Sequence, residues 1–444
     1  MDEPTESELA AFHATVGRLK ALPSDHPVRV RAEHVAASFA RDGQRSRRKA
    51  RDRARAADDS DLISHTATGA TAREPDTALT ADGTPGVYSR PRRCYVCKTS
   101  YRQTDAFYHL LCPGCAADNA ARRTAGTDLG GRRVLLTGGR VKIGYELALM
   151  LLRDGADLTV TTRFPADALR RFAAAPGHDE WAHRLHVVGI DLRDPRQVIG
   201  LAGRLLDEGR PLDALVNNAA QTLRRPPHAY AALAAAERSA LDGPRTPAGP
   251  WLAPGYQVGE ALPAIALDTI VPAVDASGLL PDLSAENSWS AVLGGLDAAE
   301  TLEAYLVNAF APTLLCDRLL PLLLASPHPR RYIVNVSAVE GRFAVRHKTS
   351  RHPHTNMAKA ALNMLTRTSG PALAERGVYM CAVDTGWITD ENPAPVKARS
   401  AERGFRTPLD VVDGAARVYD PIVRGEAGDP VAGVFLKDYR EAEW

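Results

Sequence analysis

VLLTGGRVKIGYELALMLL, residues 134–152, decides how this chain folds. A strand-length apolar run ends at Thr137, Gly138 and Gly139 follow at once, Gly144 comes next, and Leu147 to Leu152 carry the apolar content of a buried helix. Glycines at a strand-to-helix turn let the backbone come close to a bound group. The amides and dipole at the helix N-terminus favour negative charge there, so the stretch reads as a seat for a pyrophosphate.

The pattern repeats on the C-terminal side. ADLTVTTR (156–163), LHVVGIDL (185–192) and DALVNNAA (213–220) read as strands separated by helical segments. Further on come a helix from about Leu302 to Leu324, the strand YIVNVSA (332–338), a helix from about Met357 to Arg376, and the strands VYMCAVDTG (378–386) and VAGVFLKD (431–438). Strands and helices taking turns predict an α/β fold with a doubly wound parallel sheet over residues 130–444. The Pro-rich stretch 223–297 is too long for a plain loop and is expected to be an insertion with its own packing over the ligand crevice.

Arg163 closes the second strand beside Thr161 and Thr162, where an adenosine ribose lies in such a fold. A guanidinium there, in place of the carboxylate that binds a free 2′-hydroxyl, matches a 2′-phosphate and favours NADP(H) over NAD(H).

Residues Thr137, Gly138, Gly139, Arg140, Val141, Lys142, Ile143 and Gly144 resemble the glycine motif of the short-chain dehydrogenase/reductase family, with Lys142 at a middle glycine as in the pteridine reductases. Asp191, followed by Leu192, matches the family's adenine-edge residue. Asn217-Asn218-Ala219-Ala220 resembles its Asn-Asn-Ala-Gly segment, and Asn308 falls at its active-site asparagine. The resemblance implies a Rossmann-type fold and a cofactor site of residues 137–144, Thr162, Arg163, Asp191, Leu192, Asn218, Ala219, Ala220, Lys359, Gly386 and Thr389. It also implies a small-molecule substrate and dimers or tetramers built through the helices near Asn308 and Lys359.

The chemistry departs from that pattern. Carbonyl reduction needs a proton donor, and a lysine that lowers the donor's pKa and holds the ribose. The resemblance assigns the lysine to Lys359 in TNMAKAALNML. The family's tyrosine position holds Thr355, a poor acid near neutral pH, and the family's serine aligns with Ala338, with Ser337 one place earlier on the strand. His347, His352 and His354 precede the site, and a histidine suits proton transfer near neutrality. The candidate catalytic set is therefore Lys359, Asn308, Thr355, His354 and Ser337. Arg224 and Arg225, just after the fourth strand, are candidates to hold an anionic substrate or to form salt bridges at the start of the insertion.

Cys94-x2-Cys97 and Cys112-x2-Cys115 are separated by fourteen residues. Two thiolate pairs at this spacing satisfy one tetrahedral Zn2+ and leave no open position, so the expectation is a structural zinc-ribbon-like unit over residues 92–120. Cys316 and Cys381 stand alone and read as packing residues.

Residues 1–55 read as a helical segment that ends in the basic run RDGQRSRRKARDRAR (41–55), and the polar stretch 56–91 as a poorly ordered linker. With 55 basic and 53 acidic residues in 444, overall charge gives no reason to expect a nucleic-acid or membrane partner. The acidic start, and the lack of an uninterrupted spanning-length apolar run, point to a cytoplasmic protein. Two functions fit. One is an NADP(H)-dependent reductase of a small or medium-sized carbonyl, imine or enone compound with altered acid–base residues. The other is a catalytically degenerate dinucleotide-binding scaffold or redox sensor whose zinc unit binds a partner. Lys359 and Asn308 favour the first; the lost tyrosine and serine favour the second.

Overall fold

The computed structural model describes residues 3–80, 83–243, 249–259, 274–345 and 348–444. Two helices open it, α1 (Glu6–Lys20) and α2 (Pro27–Ser64). A two-stranded antiparallel ribbon follows, β1 (Val87–Arg93) and β2 (Ser100–Gln103), and then α3 (Pro113–Thr124). The main body begins with β3 (Arg133–Thr137), α4 (Lys142–Arg153), β4 (Asp157–Thr162), α5 (Pro165–Ala173), α6 (His178–Trp181), β5 (Leu185–Gly189), α7 (Pro195–Glu208) and β6 (Ala214–Asn217). The insertion contributes α8 (Ala231–Leu241) and β7 (Trp251–Leu252). The second half runs through α9 (Ala298–Tyr305), α10 (Ala311–Leu324), β8 (Arg331–Ser337), α11 (Pro353–Ala374), β9 (Val378–Asp384), α12 (Ala394–Glu402), α13 (Val411–Glu426), β10 (Phe435–Lys437) and β11 (Arg440–Ala442).

Among the described residues the main sheet has nine strands in the order β11-β10-β9-β8-β6-β3-β4-β5-β7, parallel except for the β10–β11 pair. Every residue of β3 and of β8 is buried, as expected of strands covered on both faces. Two hydrophobic clusters fill the layers, one around α4 and α13 and the other around α7 and α10. The chain starts at β3, builds outward to β5, then returns to β6 on the other side of β3. This reversal leaves a crevice beyond the C-terminal ends of β3 and β6, where such sheets bind ligands. The insertion also adds β7 to the sheet, in parallel register with β5 (Val188 opposite Trp251).

The stretch 298–324 is one continuous helix with a π-helical turn at Leu306–Phe310. It is the single helix among the described residues that is long and apolar enough to cross a bilayer, yet Leu315, Leu319 and Leu323 lie fully buried in the core beneath it.

The expectation for residues 56–91 is corrected. Helix α2 runs unbroken through the basic run to Ser64, and β1 already begins at Val87. Between them, Thr68 Oγ1 donates to the Phe107 carbonyl (2.9 Å), and Arg73 donates to the carbonyls of Thr407 (2.8 Å) and Leu409 (2.7 Å). The polar composition that resembles a disordered linker instead supplies hydrogen bonds to two other parts of the molecule. The ribbon and α3 also share a hydrophobic core with the main body, where Tyr88, Phe107, Tyr108 and Leu111 pack with Ile388, Leu409 and Val411.

Candidate active site

The turn between β3 and α4 is built by the residue types the sequence singled out. Gly138 has φ +74°, and a Cβ there would sit 2.9 Å from the Ala219 Cα. A Cβ on Gly144 would lie 2.0 Å from the Gly138 carbonyl oxygen and 2.6 Å from Asn218 Nδ2. Asn218 Nδ2 braces the turn by donating to the carbonyls of Thr137 (3.0 Å) and Gly138 (3.1 Å). The amides of Asn218 and Ala219 both donate to Thr137 Oγ1 at 3.0 Å. The β6 exit thus holds the glycine turn open as a backbone cradle beside exposed Ala220. No side chain caps the N-terminus of α4 at Val141, so the amides that follow, including that of Ile143, face the crevice uncapped.

Two basic residues of the motif are already engaged by protein groups. Arg140 Nη1 donates to Asp167 Oδ2 (2.6 Å) and to the Ser277 carbonyl (2.9 Å), and Asp167 also binds Arg170 and Arg171. The Arg140 side chain is thus held in a buried ion pair that ties the glycine turn to α5, with a hydrogen bond to the insertion. Lys142 has φ +54°, and its Nζ lies 2.8 Å from Asp76 and 3.6 Å from Glu391. Burial opposes its charge, but these carboxylates hold it well above the usual lysine range. Asp76 is distant in sequence, so nothing in the motif forecasts this contact.

The C-terminal end of β4 is more open. Arg163 lies over the rings of Phe164 and Tyr230 (5.8 and 5.1 Å), which stack on each other at 6.0 Å. Thr162 Oγ1 accepts from the Phe164 amide (3.1 Å) and fixes that turn. Arg193 holds the Asp191 carboxylate with two nitrogens, while Leu192 points into the core. Arg163 and Asp191 line a cleft of about 1090 Å³ that extends under α8. Arg224 and Arg225 also line it, and both are paired, Arg224 with Glu303 (3.3 Å) and Arg225 with Asp282 (3.9 Å).

The candidate catalytic residues are placed on separate elements. Lys359 is half-buried, its Nζ donates to the Val336 carbonyl (2.7 Å), and desolvation lowers its pKa to about 8. Asn308 sits in the π-helical turn and clasps the Gln221 backbone, accepting from its amide and donating to its carbonyl at 2.8 Å each. The Thr355 hydroxyl donates to the His352 carbonyl (2.9 Å), one helical turn before Lys359. The Ser337 Oγ donates to Asn363 Oδ1 (2.6 Å) within the buried seam between β8 and α11, in keeping with a side chain that faces away from the Ala338 position. Gly386 has φ +82°, and the Thr389 Oγ1 donates to Glu391 (3.1 Å).

His354 is 1% exposed and neither ring nitrogen has a hydrogen-bond partner among the described residues. It lines a second cavity of about 330 Å³ with Asn287, Ser288 and Glu300, and burial lowers its pKa. His352 is placed differently, stacked on Trp289 at 4.1 Å with a φ of +41°. His347 lies outside the described residues.

The four cysteines form one cluster, with all sulfurs within 4.8 Å of one another. Cys94 and Cys97 lie between β1 and β2, Cys112 caps α3, and Cys115 is in its first turn. The second pair therefore opens a helix. Tetrahedral zinc–thiolate bonds of about 2.3 Å place sulfurs close to 3.8 Å apart, and Cys97 and Cys112 stand 3.6 Å apart. This thiol set fits a structural zinc ion. Next to the cluster, the Tyr95 hydroxyl accepts from the Trp387 amide (2.9 Å), so the unit touches the loop after β9.

The family model described as short chain dehydrogenase matches residues 132–238. The uncharacterized protein R665 of Acanthamoeba polyphaga mimivirus is 30% identical over 348 residues, which is 74% of this chain and 71% of that protein. A probable oxidoreductase of Streptomyces lividans is 40% identical over 94 residues, covering 21% of this chain and 29% of its own length. Among solved structures, NADPH-bound carbonyl reductase from chicken fatty liver aligns with a TM-score of 0.44 at 19% identity, over 70% of this chain and 99% of that one.

Proposed function

Because this chain belongs to the short-chain dehydrogenase/reductase family, we propose that it is an NADP(H)-dependent reductase of a small or medium-sized carbonyl, imine or enone compound. The observation that carries the reading is the cradle between β3 and α4, whose two glycines stand where any side chain would strike backbone. When bound, the nicotinamide supplies a hydride. The uncapped amides of α4 would hold the pyrophosphate, and Arg163 the adenosine 2′-phosphate. Lys359 would hold the nicotinamide ribose, and Asn308 fixes the β6 exit beside it. Proton delivery falls to His354, whose ring nitrogens have no other partner among the described residues. The thiol cluster would hold one zinc ion that braces the loop following Gly386.

An NADPH oxidation assay over a panel of carbonyl and imine compounds tests this with the natural chain, Lys359→Ala and His354→Ala. Turnover in the natural chain and a loss of 100-fold or more in both variants is the expected result. Tight NADPH uptake with no compound ever reduced supports the second reading, a catalytically silent dinucleotide sensor. One observation favours that alternative: the hydroxyls of both Thr355 and Ser337 are consumed by internal hydrogen bonds.

Two further outcomes are expected. With His354 as the acid and Lys359 needed as a cation, kcat/KM falls in two steps as pH rises, first below the ordinary histidine range, where burial sets the loss of the His354 proton, and again through about 8, where the Lys359 ammonium loses its own. A pH–rate profile checks this, and a flat response to pH 9.5 removes Lys359 from the reaction. Asp76→Asn takes away a negative charge 2.8 Å from Lys142, beside the pyrophosphate seat. Titration calorimetry should then show NADPH binding several-fold more tightly, with the gain shrinking at high salt.

A further inference from the structure

We propose that Arg238, carried by the insertion, joins Arg163 in a phosphomonoester site at the adenosine end of the cleft, and that this pair selects the 2′-phosphate of NADPH. The inference rests on the dinucleotide reading above and adds a residue from outside the nucleotide-binding core.

Charge accounting within the cleft is the first argument. Six arginines and three carboxylates line it. Each carboxylate is already paired: Asp191 with Arg193, Asp194 with Arg196, and Glu303 with Arg193 and Arg224. Arg163 and Arg238 are the two lining arginines with no carboxylate within ion-pair distance among the described residues. Arg238 Nη1 is buried and has no hydrogen-bond partner among the described residues. A buried guanidinium nitrogen left unmatched is costly, and an anion seated beside it removes that cost.

The second argument is position. Glu237, the residue before Arg238, is 1% exposed and accepts from the amides of Ala166 (2.6 Å) and Asp167 (3.0 Å) at the start of α5. This contact ties the last turns of α8 to the segment that directly follows Arg163. Tyr230, at the other end of α8, lies under the Arg163 guanidinium and is within 3.4 Å of it through its hydroxyl. The insertion is thus fastened at both ends to the β4–α5 turn, and Arg238 is held where that turn opens into the cleft. A phosphomonoester dianion, with three acceptor oxygens, is the group two such guanidinium forks recognise.

The test is titration calorimetry on the full, metal-loaded chain with NADPH, NADH, adenosine 2′,5′-bisphosphate and adenosine 5′-monophosphate. Arg238→Ala should weaken NADPH and the bisphosphate by about 10- to 100-fold, the range for a charge-assisted hydrogen bond, and leave NADH and the monophosphate within about twofold. Arg163→Ala should do the same, and Arg238→Lys should recover part of the loss. The proposal is overturned if Arg238→Ala binds NADPH as tightly as the natural chain, or if NADH weakens in the same proportion, which marks a purely structural residue. If the natural chain takes up neither dinucleotide, the underlying reading fails and this site fails with it, a result separate from the other two.

Discussion

Gly144→Val is expected to abolish dinucleotide binding, lowering NADPH affinity by more than 100-fold in titration calorimetry, while the rest of the fold survives with reduced stability. The added Cβ alone would approach the Gly138 carbonyl oxygen to 2.0 Å and Asn218 Nδ2 to 2.6 Å. Neither neighbour can yield cheaply, since one is backbone and the other is the amide that braces the turn through two hydrogen bonds. Overpacking of this kind costs about 1–3 kcal/mol, enough to lower a melting temperature by several degrees and to push the helix start away from the crevice. Gly203, on the exposed side of α7, is the control: a Cβ there meets nothing within 4 Å. Gly203→Ala should keep full affinity and gain a little stability, because alanine exceeds glycine in helix propensity by about 1 kcal/mol. If Gly144→Val binds NADPH normally, the cradle is not the cofactor seat.

The second large effect is expected at the thiol cluster. Purified protein should carry one equivalent of zinc by elemental analysis. Cys112→Ser or chelation should remove it, with a fall of ten degrees or more in melting temperature and loss of NADPH oxidation. Structural zinc contributes on the order of 10 kcal/mol to the folding of small units. Here the cost also spreads outward through the shared core of Tyr88, Phe107 and Leu111 with Leu409 and Val411, and through the Tyr95–Trp387 hydrogen bond. Differential scanning calorimetry with and without chelator measures it. A metal-free chain with unchanged melting would show that the thiols do not hold a folding-critical ion.

The parts legible in the sequence are those whose cause is local. Gly138 and Gly144 are required by contacts within one turn, and four cysteines in two close pairs need only a few bonds of backbone to converge on one ion. Lys359 and Asn308 were found by their place in the family pattern, and the structure sets them on α11 and in the π-helical turn that precedes α10. What was not legible depends on groups far apart in the chain. Arg140 reads as a cofactor contact until Asp167 and Ser277 are seen to claim it. Lys142 meets Asp76 across 65 intervening residues. The alternation along β8 turns Ser337 away from the Ala338 position, and the partner it meets there, Asn363, lies on another element. Residues 56–91 carry the composition of a linker because their polar side chains bond outward to Phe107, Thr407 and Leu409 instead of packing as an apolar stripe of their own.

The core shared by the thiol unit and the segment 388–411 has a practical corollary for dissecting the polypeptide. A truncation that begins near residue 130, at the edge of the family match, would strip the cover from Ile388, Leu409 and Val411 and leave Asp410 and Asp413 without the Arg123 guanidinium that neutralises them. Such a fragment would come out of expression sticky and aggregation-prone. Limited proteolysis of the intact molecule should accordingly spare the junction around Thr124 and nick first in the solvent-bathed first half of α2, leaving a trimmed product that still behaves as one cooperative body.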